Sequence, residues 1–200
     1  MTSILLFLKA PMLGFVKTRL AVTVGDETAL EIYRTLVERQ IKALDKIGDL
    51  QIHFTPTHAE QNIRNWVGNS ASYFPQTEGD LSNRLSTAVT TAFKQTPKHV
   101  ICIGGDCPQL SSQHIHTTQE LLNESADLVF GPTEDGGYYL VGMKAPHTAI
   151  FEAIPWSSND TLKASLNKAK DLGLKVELLE TLYDVDTEVE FNRAQDEGLI

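Results

Sequence analysis

The sequence predicts one α/β domain over residues 1–200, built on a mostly parallel sheet that helices cover on both faces. Short apolar runs alternate along the chain with longer segments in which apolar residues recur every three or four positions. This alternation is typical of strand–helix–strand units. No linker, repeat or low-complexity segment interrupts it. Because ligands of such sheets bind at the carboxyl ends of the strands, the loops that follow the strands are the places where we expect a site.

The elements follow one another in a regular order. Residues 3–8, SILLFL, are continuously apolar and end at Lys-Ala-Pro, which predicts a buried strand. A long helix is expected over 25–48, with Asp26 as its N-cap and Gly48 at its end. Further strands are expected at 50–56, 71–75, 98–105, 126–132 and 137–143. Further helices are expected at 58–68, 79–97, 111–125, 160–172 and 188–195.

Composition excludes several classes of protein. The 200 residues carry a formal net charge of −9, whereas proteins that bind nucleic acids or membrane surfaces present a basic face. No apolar run reaches the roughly 20 residues of a membrane span, and the N-terminal residues lack the basic segment and cleavage site of a signal peptide. Cys102 and Cys107 have no accompanying histidine ligands and are expected to be reduced thiols. Together these features predict a cytoplasmic protein.

The loop after the first strand, KAPMLGFVKTRL, carries two cations. Pro11 and Gly14 prevent an immediate helix, so the loop can turn its amides inward. Lys17 and Arg19 then add positive charge, and a guanidinium can meet two phosphate oxygens at once. The sequence matches neither a P-loop nor a dinucleotide-binding fingerprint. The alternative is a pair of exposed cations on a surface loop.

The loop after the fourth strand, VICIGGDCPQL, places a carboxylate at the edge of the core. Gly104 and Gly105 allow close approach of backbone and ligand. Asp106 is costly to bury without a strong partner, and a divalent cation is one such partner. The alternative is that Asp106 caps a helix, although Ser111 or Ser112 is available for that.

Acidic residues also lie in GPTEDGGYYLVG. Asp135 and Gly136 form a turn signal between neighbouring strands. That explanation accounts for Gly136 but leaves Glu134 and the pair Tyr138–Tyr139 unexplained. Contacts to a sugar would use such side chains.

A last acidic pair lies in YDVDTEVEF. Asp184 and Asp186 would point the same way in an extended chain, where like charges repel unless a cation lies between them. The alternative is that Asp186 or Thr187 caps the last helix. Taken together, the four loops predict a diphosphate that is held by Lys17 and Arg19 and bridged by a metal ion.

The motifs resemble those of a known superfamily. In order they are KAPMLGFVKTRL, PQTEGDLSNRL, IGGDCPQL, GPTEDGGYYLVG, PWSS and YDVDTEVEF. The chain resembles, over essentially its whole length, the nucleotide-diphospho-sugar transferases with the GT-A fold. Within them it is most similar to a bacterial group of GT-A-type glycosyltransferases, some of which are linked to arsenosugar biosynthesis. The first loop also resembles that of 2-phospholactate guanylyltransferases. The resemblance implies a three-layer α/β/α Rossmann-like fold with a mixed, mostly parallel sheet.

The resemblance also implies roles for individual residues. Asp106 and Asp186 would ligate Mg²⁺ or Mn²⁺, with Asp184 a less favoured ligand. Asp135 is the candidate catalytic base, and Asp106 would act in catalysis as well as in metal binding. The residues that would bind the nucleotide, sugar or acceptor are Pro11, Gly14, Lys17, Arg19, Gln76, Gly79, Asp80, Gly105, Gly136, Gly137, Tyr138 and Trp156.

Three functions follow, of which the first is preferred. It is a metal-dependent glycosyltransferase that uses a nucleotide-sugar donor and a small-molecule acceptor. The second is a nucleotidyltransferase of the guanylyltransferase kind, which uses a nucleoside triphosphate and a small phosphorylated acceptor. The third is an inactive nucleotide-binding protein, because Thr77 and Ser82 stand where the family usually has glycine and Glu190 where it has aspartate. The sequence leaves open whether the chain forms a homodimer.

Overall fold

A mixed sheet forms the centre of the molecule, and the computed structural model describes residues 1–68 and 71–200 of it. The strands are β1 (Thr2–Lys9), β2 (Asp49–Thr55), β3 (Ser72–Pro75), β4 (His99–Gly104), β5 (Leu128–Pro132), β6 (Tyr138–Met143) and β7 (Val176–Leu178). The helices are α1 (Thr18–Val24), α2 (Asp26–Ala43), α3 (Glu60–Val67), α4 (Leu81–Phe93), α5 (Ser112–Glu124), α6 (Thr161–Asp171) and α7 (Glu188–Asp196). Two 3₁₀ turns cover Thr57–Ala59 and Thr148–Phe151.

The described strands lie in the order β3–β2–β1–β4–β6–β5–β7. β6 runs antiparallel to β4 and β5, and the other neighbouring pairs are parallel. The predicted fold class, a mostly parallel sheet within a three-layer α/β structure, is therefore confirmed. None of the described helices combines the length and apolar character that a membrane crossing requires.

The structure differs from the sequence-based prediction in several places. Gly25, rather than Asp26, is the N-cap of α2. The loop that carries Lys17 continues directly into α1, which the sequence did not predict, and a short strand, β7, lies within residues 175–180. The long helix ends at Ala43 rather than at Gly48. Gly48 is instead required by packing, since a Cβ at this position would lie 2.6 Å from the backbone oxygen of Thr2.

Alternating side chains of β1 divide the core into two layers. Ile4, Leu6 and Leu8 pack on one face in a cluster that includes residues of α2, α3 and α5. Leu5 and Phe7 face the other way, into a cluster that includes residues of α4 and α6. This period of two, repeated in β4, explains why the strand sequences are continuously apolar: both faces of the central strands are buried.

Three rings stack across β1, β2 and β3 on the α4 side of the sheet. The strand registers place Phe7 beside His53 and His53 beside Phe74. The ring of His53 lies 5.1 Å from that of Phe7 and 5.3 Å from that of Phe74, nearly parallel to both. His53 is buried, and its Nε2 meets no hydrogen-bond partner among the described residues. Burial lowers the pKa of His53 to about 4.

Gly142 and Gly104 offer a matched pair of substitutions in neighbouring strands. A Cβ at Gly142 would lie 2.4 Å from a Thr118 methyl group of α5, whereas a Cβ at Gly104 would meet no described atom within 4 Å. Gly142→Ala should lower the free energy of unfolding by about 1–3 kcal/mol, because helix and sheet must move apart. Gly104→Ala should change it by less than about 0.5 kcal/mol. Urea unfolding measures both; equal effects would contradict this account of the packing.

The stacked histidine predicts an acid-sensitive fold. The folded-state pKa of His53 lies below its unfolded value of about 6.5, so the folded state binds fewer protons between these values. Stability should therefore fall as the pH is lowered from about 6.5 to 4, by about 3 kcal/mol for this group. His53→Phe keeps the stack and should flatten the dependence, as measured by urea unfolding at several pH values.

The exposed His58 serves as the control for this experiment. His58→Phe should leave the acid sensitivity unchanged. Two results would contradict this role of His53: an unfolding free energy of the wild-type protein that does not change with pH, or the same pH dependence in His53→Phe and the wild type.

Candidate active site

Parallel pairing of β1 and β4 brings two of the predicted loops together at one edge of the sheet. The register places Phe7 beside Gly104, so the loops that follow these strands leave the core side by side. The segment before α7 crosses the same edge, where the amide of Val185 donates a hydrogen bond of 3.0 Å to the backbone oxygen of Asp106. Residues far apart in the sequence therefore meet here.

Lys17 is the centre of this meeting point. Its ammonium group forms an ion pair with Asp106 Oδ1, and its Nζ lies 3.4 Å from Asp186 Oδ1. Only 4% of the Lys17 side chain is exposed. Burial by itself lowers the pKa of Lys17, but the carboxylates of Asp106 and Asp186 outweigh it and raise the pKa above its usual value. Lys17 also has a left-handed backbone, with φ of 49°, at the N-cap of α1.

Asp186 is available to these cations because a neighbour caps α7. The side chain of Thr187 accepts a hydrogen bond from the amide of Val189, and Glu190 bonds back to the Thr187 amide at 2.8 Å. Thr187 is therefore the cap, and the second oxygen of Asp186 lies 3.4 Å from Arg19 Nη1. The sequence left open whether Asp186 or Thr187 caps α7. Because Thr187 is the cap, the Asp186 carboxylate is not used for capping.

Asp184, two residues before Asp186, differs from it in protonation. Burial, and then the nearby carboxylate of Asp106, raise the pKa of Asp184 to about 8, against the opposing effect of Lys17. At neutral pH Asp184 is therefore largely protonated, whereas Asp106 and Asp186 are ion-paired. Asp184 and Asp186 thus differ: the first is largely protonated at neutral pH, and the second is ion-paired.

A cleft of about 550 Å³ opens above Lys17, Asp106 and Asp186, within the range of small-molecule sites. Arg19, Gln76 and Gly105, all predicted site residues, also line it. The sequence missed several further lining residues, namely Phe7, Lys9, Tyr33, Thr55, Arg84 and Ser157. Arg84 could have been found, since it stands in the PQTEGDLSNRL motif.

The far wall of the cleft is fixed by Gln76 and Arg84. Gln76 Nε2 donates to the backbone oxygens of Leu8 and His53, at 3.3 and 2.8 Å. Arg84 donates from Nε to the Gly79 oxygen at 3.0 Å and from Nη1 to Gln76 Oε1 at 3.4 Å. These bonds hold both side chains in place before any ligand arrives.

Some predicted residues hold the chain rather than line the cleft. Asp80 caps α4 by accepting from the Asn83 amide at 2.9 Å, and Gly79 has a positive φ of 109° beside it. Pro11 lies in a separate surface depression with Arg34 and Trp66. Gly14 has a positive φ of 72° in the first loop. Their direct contact with a nucleotide stays a prediction.

The Asp135–Gly136 segment is the predicted turn between β5 and β6. Asp135 Oδ1 accepts from Thr133 Oγ1 at 2.5 Å and from the amide of Gly137 at 3.0 Å. Gly136 has a positive φ of 86°, and a Cβ there would lie 2.2 Å from the backbone oxygen of Asn159. Asp135 is exposed at the same edge of the sheet, close enough to Asp184 to raise its pKa.

Glu134, which the turn alone left unexplained, forms a two-pronged ion pair with Arg193 of α7. Its two oxygens accept from Arg193 Nη1 at 2.9 and 3.1 Å. The guanidinium also lies 4.0 Å from the ring centroid of Tyr183. Glu134 therefore docks α7 onto the hairpin. Tyr138 and Trp156 lie together in a second, apolar pocket beside the cleft.

The carboxylates fit the metal that the fold implies. Within residues 1–68 and 71–200, no group of three or more histidine, cysteine or acidic side chains has the arrangement of a complete metal site. Asp106 and Asp186, however, already share one cation, the Lys17 ammonium, and both side chains are more than two-fifths exposed. Mg²⁺ commonly takes one or two carboxylates and completes its shell with phosphate and water.

Comparisons with known proteins identify the family and the fold superfamily of the chain. The model of the family described as "Uncharacterized protein conserved in bacteria (DUF2064)" matches residues 39–158. A crystal structure from Desulfovibrio desulfuricans G20, described as a candidate nucleotide-diphospho-sugar transferase, is 31% identical, with a TM-score of 0.87 over 93% of this chain and 82% of that one. The resemblance to that superfamily is thereby confirmed. No curated protein gives a significant sequence match.

Two more distant structures share the fold. One is 4-diphosphocytidyl-2C-methyl-D-erythritol synthase from Anaerococcus prevotii DSM 20548, 12% identical, with a TM-score of 0.65 over 100% of this chain and 98% of that one. The other is Rv0371C of Mycobacterium tuberculosis H37Rv in complex with manganese, 13% identical, with a TM-score of 0.61 over 98% of this chain and 97% of that one. At these identities the likeness is one of fold.

Removal of the Lys17 charge should destabilise the protein. Lys17→Met leaves Asp106 and Asp186 facing each other without a shared cation, so we expect the free energy of unfolding to fall by about 2 kcal/mol at neutral pH. Urea unfolding in the absence of divalent metal measures this change. The control is Arg19→Met, whose side chain is 70% exposed; it should cost less than about 0.5 kcal/mol. Equal losses would contradict the central role given to Lys17.

Proposed function

Since the chain belongs to the DUF2064 family of bacterial proteins and is similar to a structure described as a candidate nucleotide-diphospho-sugar transferase, we propose that it is a metal-dependent glycosyltransferase. It would move a sugar from a nucleotide-diphosphate donor to a small acceptor. The observation that carries the proposal is the ion-paired cluster of Lys17, Asp106 and Asp186 at the floor of a 550 Å³ cleft.

The cationic side of the cleft suits the diphosphate. Lys17 and Arg19 are the cations nearest to the two carboxylates, and both line the cleft. Asp106 and Asp186 would hold Mg²⁺ or Mn²⁺. When bound, such a cation stabilises the negative charge that develops on the departing nucleoside diphosphate. Lys17, whose high pKa keeps it protonated, supplies a fixed positive charge at the same place.

The two sides of the cleft suggest how the donor lies. Gln76 and Arg84 offer polar groups at the β2–β3 side, which supports the placement of the base and ribose there. Gly105 forms the floor beside Asp106, and a Cβ at Gly105 would lie 2.7 Å from a Leu8 methyl group. The sugar and acceptor would then lie toward Gly136, Gly137, Tyr138 and Trp156.

Asp135 is the candidate for the base that the reaction needs. The acceptor oxygen forms a bond to the anomeric carbon, the bond from that carbon to the diphosphate oxygen breaks, and the proton of the acceptor hydroxyl passes to a base. The turn engages Asp135 Oδ1, which leaves Oδ2 to receive this proton. The position of Asp135 near Asp184, at the edge of the sheet, supports the assignment.

A nucleotidyltransferase is the second candidate, and one observation favours it. Lys9, Lys17, Arg19 and Arg84 all line the cleft, and four cations suit the larger charge of a triphosphate. That reaction releases pyrophosphate when a phosphorylated acceptor attacks the nucleotide. A pyrophosphate-release assay with the four ribonucleoside triphosphates therefore separates the two functions.

Calorimetric titration with UDP-glucose, GDP-mannose and TDP-glucose tests the preferred function. We expect one donor to bind with heat only when Mn²⁺ or Mg²⁺ is present. Asp106→Asn and Asp186→Asn should each weaken this binding by about tenfold or more, because each removes one of the proposed metal ligands.

The control is Asp45→Asn, an exposed carboxylate before β2 at the opposite edge of the sheet. It should bind the donor within about twofold of the wild-type protein. The absence of heat with all three donors and both metals would count against the glycosyltransferase. Donor binding that is unchanged in Asp106→Asn would instead favour a protein that binds nucleotides without metal chemistry.

A further inference from the structure

An apolar pocket of about 210 Å³ adjoins the cleft. The two cavities share Phe7 and Leu81 in their walls, so they lie side by side. The remaining wall includes Leu85, Trp156 and the ring of Tyr138. The pocket therefore lies where an acceptor would meet the sugar of a bound donor.

The walls of this pocket are rigid before any ligand enters. Trp156 Nε1 donates to Ser82 Oγ at 2.8 Å, and Ser82 Oγ donates to the Phe151 backbone oxygen at 2.6 Å. The rings of Tyr138 and Trp156 lie 6.0 Å apart at 65°. The hydroxyl of Tyr138 is buried beside Ser165, so only its ring faces the pocket. In such a preformed wall the protein side chains lose little conformational entropy when a ligand binds.

Size and polarity together restrict the occupant. An apolar cavity of about 150 Å³ is known to bind benzene, so 210 Å³ holds one six-membered ring with a short substituent. A hexose would bury hydroxyl groups against carbon, which costs about 1–3 kcal/mol for each unpaired group. An apolar ring has no such groups to desolvate, and the aromatic walls offer it edge and face contacts.

We propose that the acceptor carries an apolar, single-ring-sized group that enters the pocket of Phe7, Leu81, Leu85, Gly104, Tyr138 and Trp156. This inference rests on the proposed function, since it assigns the acceptor of that same transfer reaction. The ring would anchor the acceptor, and its hydroxyl would extend past Phe7 into the cleft.

Gly104 provides a way to fill the pocket without disturbing the cleft. It lines the pocket at the end of β4, and a Cβ there would meet no described atom within 4 Å. A larger side chain at this position would therefore grow into the empty space. Gly104→Leu should fill much of the pocket, whereas Gly104→Ala should leave most of it open.

The experiment uses 4-fluorobenzyl alcohol as the probe. The full chain is titrated with this probe in the presence of Mg²⁺, and ¹⁹F NMR measures the binding. The wild-type protein should bind it saturably, and Gly104→Ala should do so within about threefold. Gly104→Leu should bind it at least about tenfold more weakly. 3-Fluoro-1,2-propanediol, a polar alcohol, should show no saturable shift. In the wild-type protein, nuclear Overhauser contacts from the probe ring to the Trp156 indole locate the site even if Gly104→Leu fails to fold.

Donor titration on the same samples separates this inference from the proposed function. Donor binding without probe binding, or probe contacts that do not involve Trp156, would overturn the inference alone. Probe binding without binding of any nucleotide would overturn the acceptor role together with the proposed function. Probe binding that persists in a folded Gly104→Leu would also overturn the assignment of the pocket.

Discussion

One buried ammonium group organises the functional edge of this protein. Lys17 lies between Asp106 and Asp186, which belong to loops about 80 residues apart, and its ammonium group pairs with both carboxylates. The neighbouring Asp184 shows the alternative, since it stays largely protonated at neutral pH. Ion pairs thus join the first loop to the β4 loop and to the segment before α7, and a backbone hydrogen bond joins the last two to each other.

The fold places this cluster through strand order. β1 and β4 are neighbours in the middle of the sheet, and the two loops that follow them carry Lys17 and Asp106. The antiparallel β6 then brings the Asp135 turn to the same edge, which a fully parallel sheet would not do with so short a connection. The reversed strand also supplies Tyr138, Tyr139 and Val141 to the wall of the apolar pocket beside the cleft.

Most of the fold could be predicted from the sequence, because its strands are continuously apolar and its helices strongly periodic. The cluster was also predictable at Lys17, Asp106 and Asp186, since Lys17 and Asp106 stand in loops that follow apolar strands and Asp186 stands in an extended segment. α1 was missed because Pro11 and Gly14 obscure the helix that starts beyond them. Arg84 was missed, although it stands in a motif, because a cation within a helix is usually a solvated side chain.

Gly104 and Gly105 are adjacent but differ in the space around them. Gly105 is held in place by its neighbours, since a Cβ would press on Leu8 and Val37, at 2.7 and 3.1 Å, whereas Gly104 faces open space. A side chain can therefore be introduced at position 104 but not at position 105. Substitutions at position 104 would reshape the apolar pocket and leave the backbone beside Asp106 where it is.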